Sequence, residues 1–346
     1  MKIEKEAFGT TPTGVEVFLF RIHCQSGASF ELTNYGATWV SAIVPDRVGS
    51  LEDVLLGYPN LEGYLADTAY VGRTIGRYAN RIGNAGFYCQ GQWYSLDKND
   101  GMNTNHGGFS GLHQRVFQWD ISSEGVTFSL FSPDGEGGYP GNLHVEISYQ
   151  FSEDQEVSIH YKAVSDKDTF VNLTNHAYFN LEGKGKILDH WLRIPSTKAL
   201  MTNDQFIPTG EITDVRNTVF DFSKLKRIGS NIFDADPWLL NNKGYNHCFV
   251  LNDQMEGLRT AAELVEPKSG RVLTVKTTKP SVIIYSAGFL QSTLPGKSGE
   301  RYAPYDGICI ETQFDPDAPN KPDALQYLLK KGDIYEHRTT FEFKTQ

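Results

Sequence analysis

The sequence predicts an all-β protein, a large antiparallel sandwich or barrel, on three observations. Aromatic residues make up 12% of the chain, with 17 Tyr and 21 Phe, and aromatic and β-branched residues favour strands. Short apolar or alternating runs recur from one end to the other. Glycine and proline, 33 and 15 in number, break those runs at close spacing, the turn pattern of a sheet protein.

Residues 15–22 (VEVFLFRI) are apolar and β-branched. Residues 126–131 (VTFSLF), 143–149 (LHVEISY) and 157–161 (VSIHY) alternate, as half-buried strands do. The turn chemistry of PDG at 133–135 and GGYPG at 137–141 separates the first two. The same alternation returns at 271–277 (RVLTVKT) and 339–343 (TTFEF), while VIIY at 282–285 is a short apolar run. One further apolar run, GICI at 307–310, ends in Glu311. Helical patterning is confined to 322–331 (PDALQYLLKK), where a proline start and the stop at Gly332 predict one short helix. No linker, low-complexity tract or fixed-period repeat interrupts the chain, so residues 1–346 are expected to form a single domain.

Composition excludes several function classes. The formal charge is 32 − 42 = −10, and no Lys/Arg cluster offers a nucleic-acid footprint. No run of 18 apolar residues is present, so no membrane span is expected. The N-terminal stretch MKIEKEAFGT lacks the apolar centre of a signal peptide, and a cytoplasmic protein is expected. Cys24, Cys89, Cys248 and Cys309 are far apart and form no CxxC pair, which predicts reduced, partly buried thiols and no zinc-finger site.

Four segments break the strand pattern in a chemical way: GRYANRI at 76–82, NHGG at 105–108, NLTNHAYFNL at 172–181 and GYNHCF at 244–249. With ETQFDPDAPN at 311–320 they concentrate Asn, His, Arg and Glu beside apolar strands. A neutral polyhydroxy ligand calls for such groups, because each hydroxyl donates one hydrogen bond and accepts up to two. Each segment also has a plainer reading. Arg77 and Arg81 could be struts, His106 a turn residue, and the asparagines caps for strand-end backbone groups. His176 alternates with Asn and Tyr, as a polar face on a cleft would. His247 beside Cys248 has no second ligand pair at metal spacing. The other histidines have no context beyond structure. A carboxylate after a core run, at Glu311, is costly to bury unless it is paired or used. The residues themselves reach a β-rich protein with a polar, sugar-like site.

Taken in order, these motifs resemble the galactose mutarotase (aldose 1-epimerase) family. They are GRYANRI, NHGG, SPDGEGGYPGNL at 132–143, NLTNHAYFNL, PTG at 208–210, and ETQ at 311–313 with PDA at 316–318. The resemblance implies a large antiparallel β-sandwich with an open sugar-binding cleft. It implies exchange of the α and β anomers of a free aldose, such as galactose or glucose, by ring opening and closure. In that reaction Glu311 matches the base that takes the C1 hydroxyl proton, and His176 the acid that protonates O5. Arg81 and His106 match sugar-holding residues, with Asn80 and Tyr178 as further contacts. No cofactor or metal is implied, because neither electrons nor a group pass to a carrier, and a monomer or homodimer is expected.

Two positions depart from the family pattern. Asn246 stands where an aspartate is common, replacing a charged acceptor with an amide. Ile283 stands where a glutamine is common. Sugar preference is therefore open, while the proton-transfer pair is intact. A carbohydrate-binding or sensor protein on the same fold is the main alternative. A glycoside hydrolase would need a second carboxylate, and Asp315 and Asp317 are read as turn-shaping instead. A hexose phosphate substrate would need more cations than Arg77 and Arg81 supply.

Overall fold

A computed structural model describes residues 1–251 and 257–346. Three large sheets account for the architecture, and all their pairings are antiparallel. A five-stranded meander runs from Lys2–Thr10 to Leu51–Asp53 in chain order. A nine-stranded sheet carries Gly125–Ser132, Leu143–Phe151, Glu156–Ser165, Ile334–Thr345, Arg271–Thr277 and Arg259–Val265 as its central neighbours. A six-stranded sheet runs Tyr178–Phe179, Ile308–Gln313, Ser281–Tyr285, Asn246–Val250, Lys198–Thr202, Pro208–Asp214.

Each predicted strand is present, most of them longer by a few residues. Alternation is the reason. Leu143–Phe151 buries every second side chain, and Arg271–Thr277 does the same. Those inward residues join one buried cluster fed by all three sheets, from Phe20 and Trp39 through Phe128 and Ile147 to Phe179, Ile284 and Phe341. Burial of this kind, about 25 cal/mol per Å2 of apolar surface, is what holds the sheets face to face.

Two expectations need correction. Residues 322–331 do not form a helix. Ala324–Tyr327 makes a single 3-10 turn, and Leu328–Leu329 then pairs with Thr169–Phe170 as a short strand. A helix that short is costly to nucleate, and pairing satisfies the backbone of Leu328 and Leu329 instead. Glu311 is not at a strand end. It lies within Ile308–Gln313, all six residues of which are buried.

Arg77 is a strut. Its buried guanidinium donates to the carbonyls of Ser132, Pro133, Pro140 and Gly141 and to Ser132 Oγ, at 2.7–3.2 Å. It thereby ties the GRYANRI segment to the turn between two strands of the nine-stranded sheet. The four cysteines are buried and free.

Candidate active site

The six-stranded sheet builds the site through its register. Residues directly opposite on antiparallel strands share a face, so the pairings line up in rows. One row runs Leu200, Cys248, Ile283, Glu311. The next runs Asn246, Tyr285, Cys309, Tyr178. Over these rows lies a cavity of about 300 Å3. Its wall includes all seven residues singled out from the sequence: Asn80, Arg81, His106, His176, Tyr178, Asn246 and Glu311.

Glu311 is 3% exposed and rests against apolar neighbours. Ile283 is directly opposite it and packs with Leu200 and Cys248. Burial therefore pushes the Glu311 carboxyl up to about 8, with Arg81 pulling the other way. One of its oxygens, Oε2, is buried with no partner. Ile283 does not line the cavity. The departure at 283 therefore meets the Glu311 carboxylate and not the cavity.

His176 Nε2 lies 3.6 Å from Glu311 Oε1, and its Nδ1 lies 3.5 Å from Cys309 Sγ. The ring stacks on Tyr178, with centroids 5.1 Å apart. Tyr178 is itself pinned by its hydroxyl, which donates to the Ala69 carbonyl at 2.9 Å. Burial lowers His176 to about 4. His176, Cys309 and Glu311 bring three potential ligand atoms within 4.8 Å of one another, a spacing that could hold a metal ion. His247 takes no part in it. Neighbours along a strand face opposite ways, so His247 packs on Phe220 while Cys248 faces Ile283.

His106 and Asn80 hold one another. The Asn80 N–H donates to His106 Nδ1, and the His106 N–H donates to the Asn80 carbonyl, both at 3.2 Å. Burial, helped by His176 and Arg81, keeps the His106 ring neutral, well below its usual range. A neutral ring that accepts at Nδ1 carries its proton on Nε2, so His106 is a donor toward a ligand. Arg81 is oriented by Asp100, Nε to Oδ2 at 2.6 Å, and its guanidinium covers the Phe206 ring. Asn80, His106, Tyr70 and Phe206 all have positive φ, between 51° and 66°. Non-glycine residues in that region concentrate at functional sites.

Four aromatic wall residues escaped the sequence reading: Tyr70, Phe206, Tyr285 and Phe289. Tyr285 had a signal, since it stands two residues beyond Ile283 on the same strand face. The other three sit outside regular strands, where no periodicity marks them. Asp315 and Asp317 stay out of the cavity. Ser281 Oγ donates to Asp315, and the Gly83 N–H donates to Asp317 at 2.8 Å.

Residues 19–342 match the family model for aldose 1-epimerase. This chain belongs to the aldose 1-epimerase family. It is 39% identical to the galactose mutarotase of Bos taurus over 346 residues, 99% of each chain. It is 36% identical to the aldose 1-epimerase of Escherichia coli (strain K12), over 96% of each. Among solved structures it superposes on the galactose 1-epimerase of Lactobacillus acidophilus NCFM with a TM-score of 0.87, at 28% identity over 99% of each chain. The chain is accordingly an enzyme, an isomerase with mutarotase activity, and an aldose is its substrate class.

Proposed function

We propose that Glu311 and His176 exchange one proton to open and close the aldose ring. The observation that carries this is their 3.6 Å approach inside the cavity, with Glu311 raised to about 8 and His176 lowered to about 4. Between those values the pair holds a single proton.

With that proton on His176 and Glu311 charged, the carboxylate takes the proton of the C1 hydroxyl. The C1–O5 bond breaks, its electrons pass to O5, and His176 protonates O5. C1 becomes the aldehyde carbon. Glu311 is then neutral and His176 is neutral, the arrangement that burial favours. Rotation about C1–C2 turns the other aldehyde face toward O5, and the transfers run backwards to close the ring. His106 Nε2–H is placed to hold O5 as charge develops there, and Arg81 and Asn246 to hold hydroxyls, with Asn80 supporting His106. Tyr178 supports the imidazole from beneath. No net proton is consumed.

The aldose is neutral in this reading, because Arg81 is the one cationic side chain on the described wall. Asn246 offers an amide to a hydroxyl, and galactose and glucose are the first candidates. The enzyme is proposed to act as one domain, as a monomer or homodimer, in the cytoplasm, where four free thiols are at home.

Polarimetry of freshly dissolved α-D-glucose and α-D-galactose tests the assignment. Glu311→Gln and His176→Asn should each lower kcat by about 10²–10⁴-fold while circular dichroism stays native. A folded Glu311→Gln variant with undiminished kcat would remove Glu311 from the proton path.

A further inference from the structure

Proton transfer uses Glu311 and His176 and leaves the thiol beside them without a task. Among the described residues, one group of three His, Cys, Asp or Glu side chains has metal-binding spacing, and it is Cys309 with that pair. Cys309 and Glu311 stand two apart on the strand Ile308–Gln313, so their side chains leave the same face. His176 lies over that face and touches both, Nδ1 at 3.5 Å from Cys309 Sγ and Nε2 at 3.6 Å from Glu311 Oε1. None of the three is more than 4% exposed.

The spacing suits a small tetrahedral ion. Ligand bonds of about 2.0–2.3 Å set tetrahedral ligands about 3.3–3.8 Å apart. The three ligand atoms here lie within 4.8 Å of one another, so a contraction of about 1 Å at most completes the triangle. A second observation points the same way. Glu311 Oε2 is buried without a partner, and Glu311 and His176 both line the cavity. An ion that enters the cavity meets an acceptor that the protein itself leaves unused. Arg81, the cation of the wall, is held by Asp100 at 2.6 Å. The donor set selects the ion. Thiolate and imidazole suit zinc and its neighbours, whereas magnesium and calcium take oxygen ligands.

We propose that Cys309, His176 and Glu311 form an inhibitory site for a thiophilic divalent cation of the zinc class, which ties up the proton-transfer pair and excludes sugar. The inhibitory half of this inference rests on the mutarotase reading; the binding of the ion does not. The ion is an inhibitor here and has no part in ring opening.

The test uses the full, metal-free chain with Co2+ and Zn2+ as probes. One equivalent of Co2+ should give the near-ultraviolet thiolate-to-cobalt absorption band. Cys309→Ser should lose the band, and Cys248→Ser, at another buried thiol, should keep it. Saturating glucose should suppress it on the unaltered protein, because sugar and ion compete for Glu311 and His176. In polarimetry Zn2+ should slow mutarotation competitively with glucose, while Mg2+ at the same concentration leaves the rate unchanged. Cys309→Ser should raise the zinc inhibition constant by about tenfold or more, each rate being taken relative to the same variant without metal. Absence of the band, or a band that survives Cys309→Ser, overturns the site. So does a band that survives saturating glucose in a protein that turns glucose over, and this arm decides if Cys309→Ser does not fold. A cysteine-dependent band without glucose turnover upholds the metal site and defeats the mutarotase reading instead.

Discussion

Glu311 and His176 are displaced from their ordinary pKa values in opposite directions by the same cause, burial. In the proposed mechanism their mutual distance of 3.6 Å turns this into a window for catalysis. Below about 4 the pair gains a second proton, and above about 8 it loses its only one. A plot of kcat/KM against pH should therefore be bell-shaped, with limbs near those two values. A profile flat from pH 4 to 9 would contradict the assignment. The same displacement sets a stability trend. The folded carboxyl titrates near 8 against 4.5 when free. The favourable burial of its neutral form is complete below about 4.5 and is lost as pH rises through about 8. Glu311→Gln does not titrate, so its melting temperature should exceed that of the unaltered protein by more at about pH 8 than at about pH 5. Thermal melts at the two pH values check this.

At the scale of an element, the six-stranded sheet is a grid whose rows decide what each side chain meets. Ile283 reaches Glu311 because the register of two strands puts them opposite one another. Ile283→Gln would bring an amide donor beside the unpartnered Glu311 Oε2. A hydrogen bond to the charged form lowers a carboxyl pKa, so the alkaline limb of the rate profile should move down by about one unit. An unmoved limb would show that Ile283 does not set the Glu311 environment. The strand pattern was legible because alternation is local, and Leu143–Phe151 shows it residue by residue. Short helices were not. Leu61–Ala66 and Pro237–Asn242 have six residues each, too few to display a period. They are held by their caps, Asn60 accepting from the Gly63 N–H and Asp236 from those of Trp238 and Leu239. At 322–331 the apparent helical period belonged to a turn followed by a paired strand.

At the scale of the whole molecule, the fold class followed from strands, turns and the order of motifs along 346 residues. Which sheets face one another did not, since Phe20 and Phe341 meet in one core from opposite ends of the chain. The site divides in the same way. His176 and Glu311 stood out as polar residues in apolar surroundings, whereas Tyr70 and Phe206 reach the cavity by left-handed backbone turns that no periodicity announces. The net charge of −10 does not act on a neutral sugar. Charge steers charged ligands and is screened by salt, so kcat/KM for glucose should stay within about twofold between 20 mM and 500 mM NaCl. A steep decline with salt would mean that the substrate is an ion.

The close carboxyl–imidazole contact also separates the enzyme from its medium. Spontaneous anomer exchange borrows acid and base from dissolved buffer and hastens as buffer is added. In the proposed mechanism the acid and the base are two side chains, restored within each cycle by transfers to and from the sugar itself. Added buffer should quicken the background reaction alone, and the advantage given by the enzyme is greatest where mobile proton carriers are scarce.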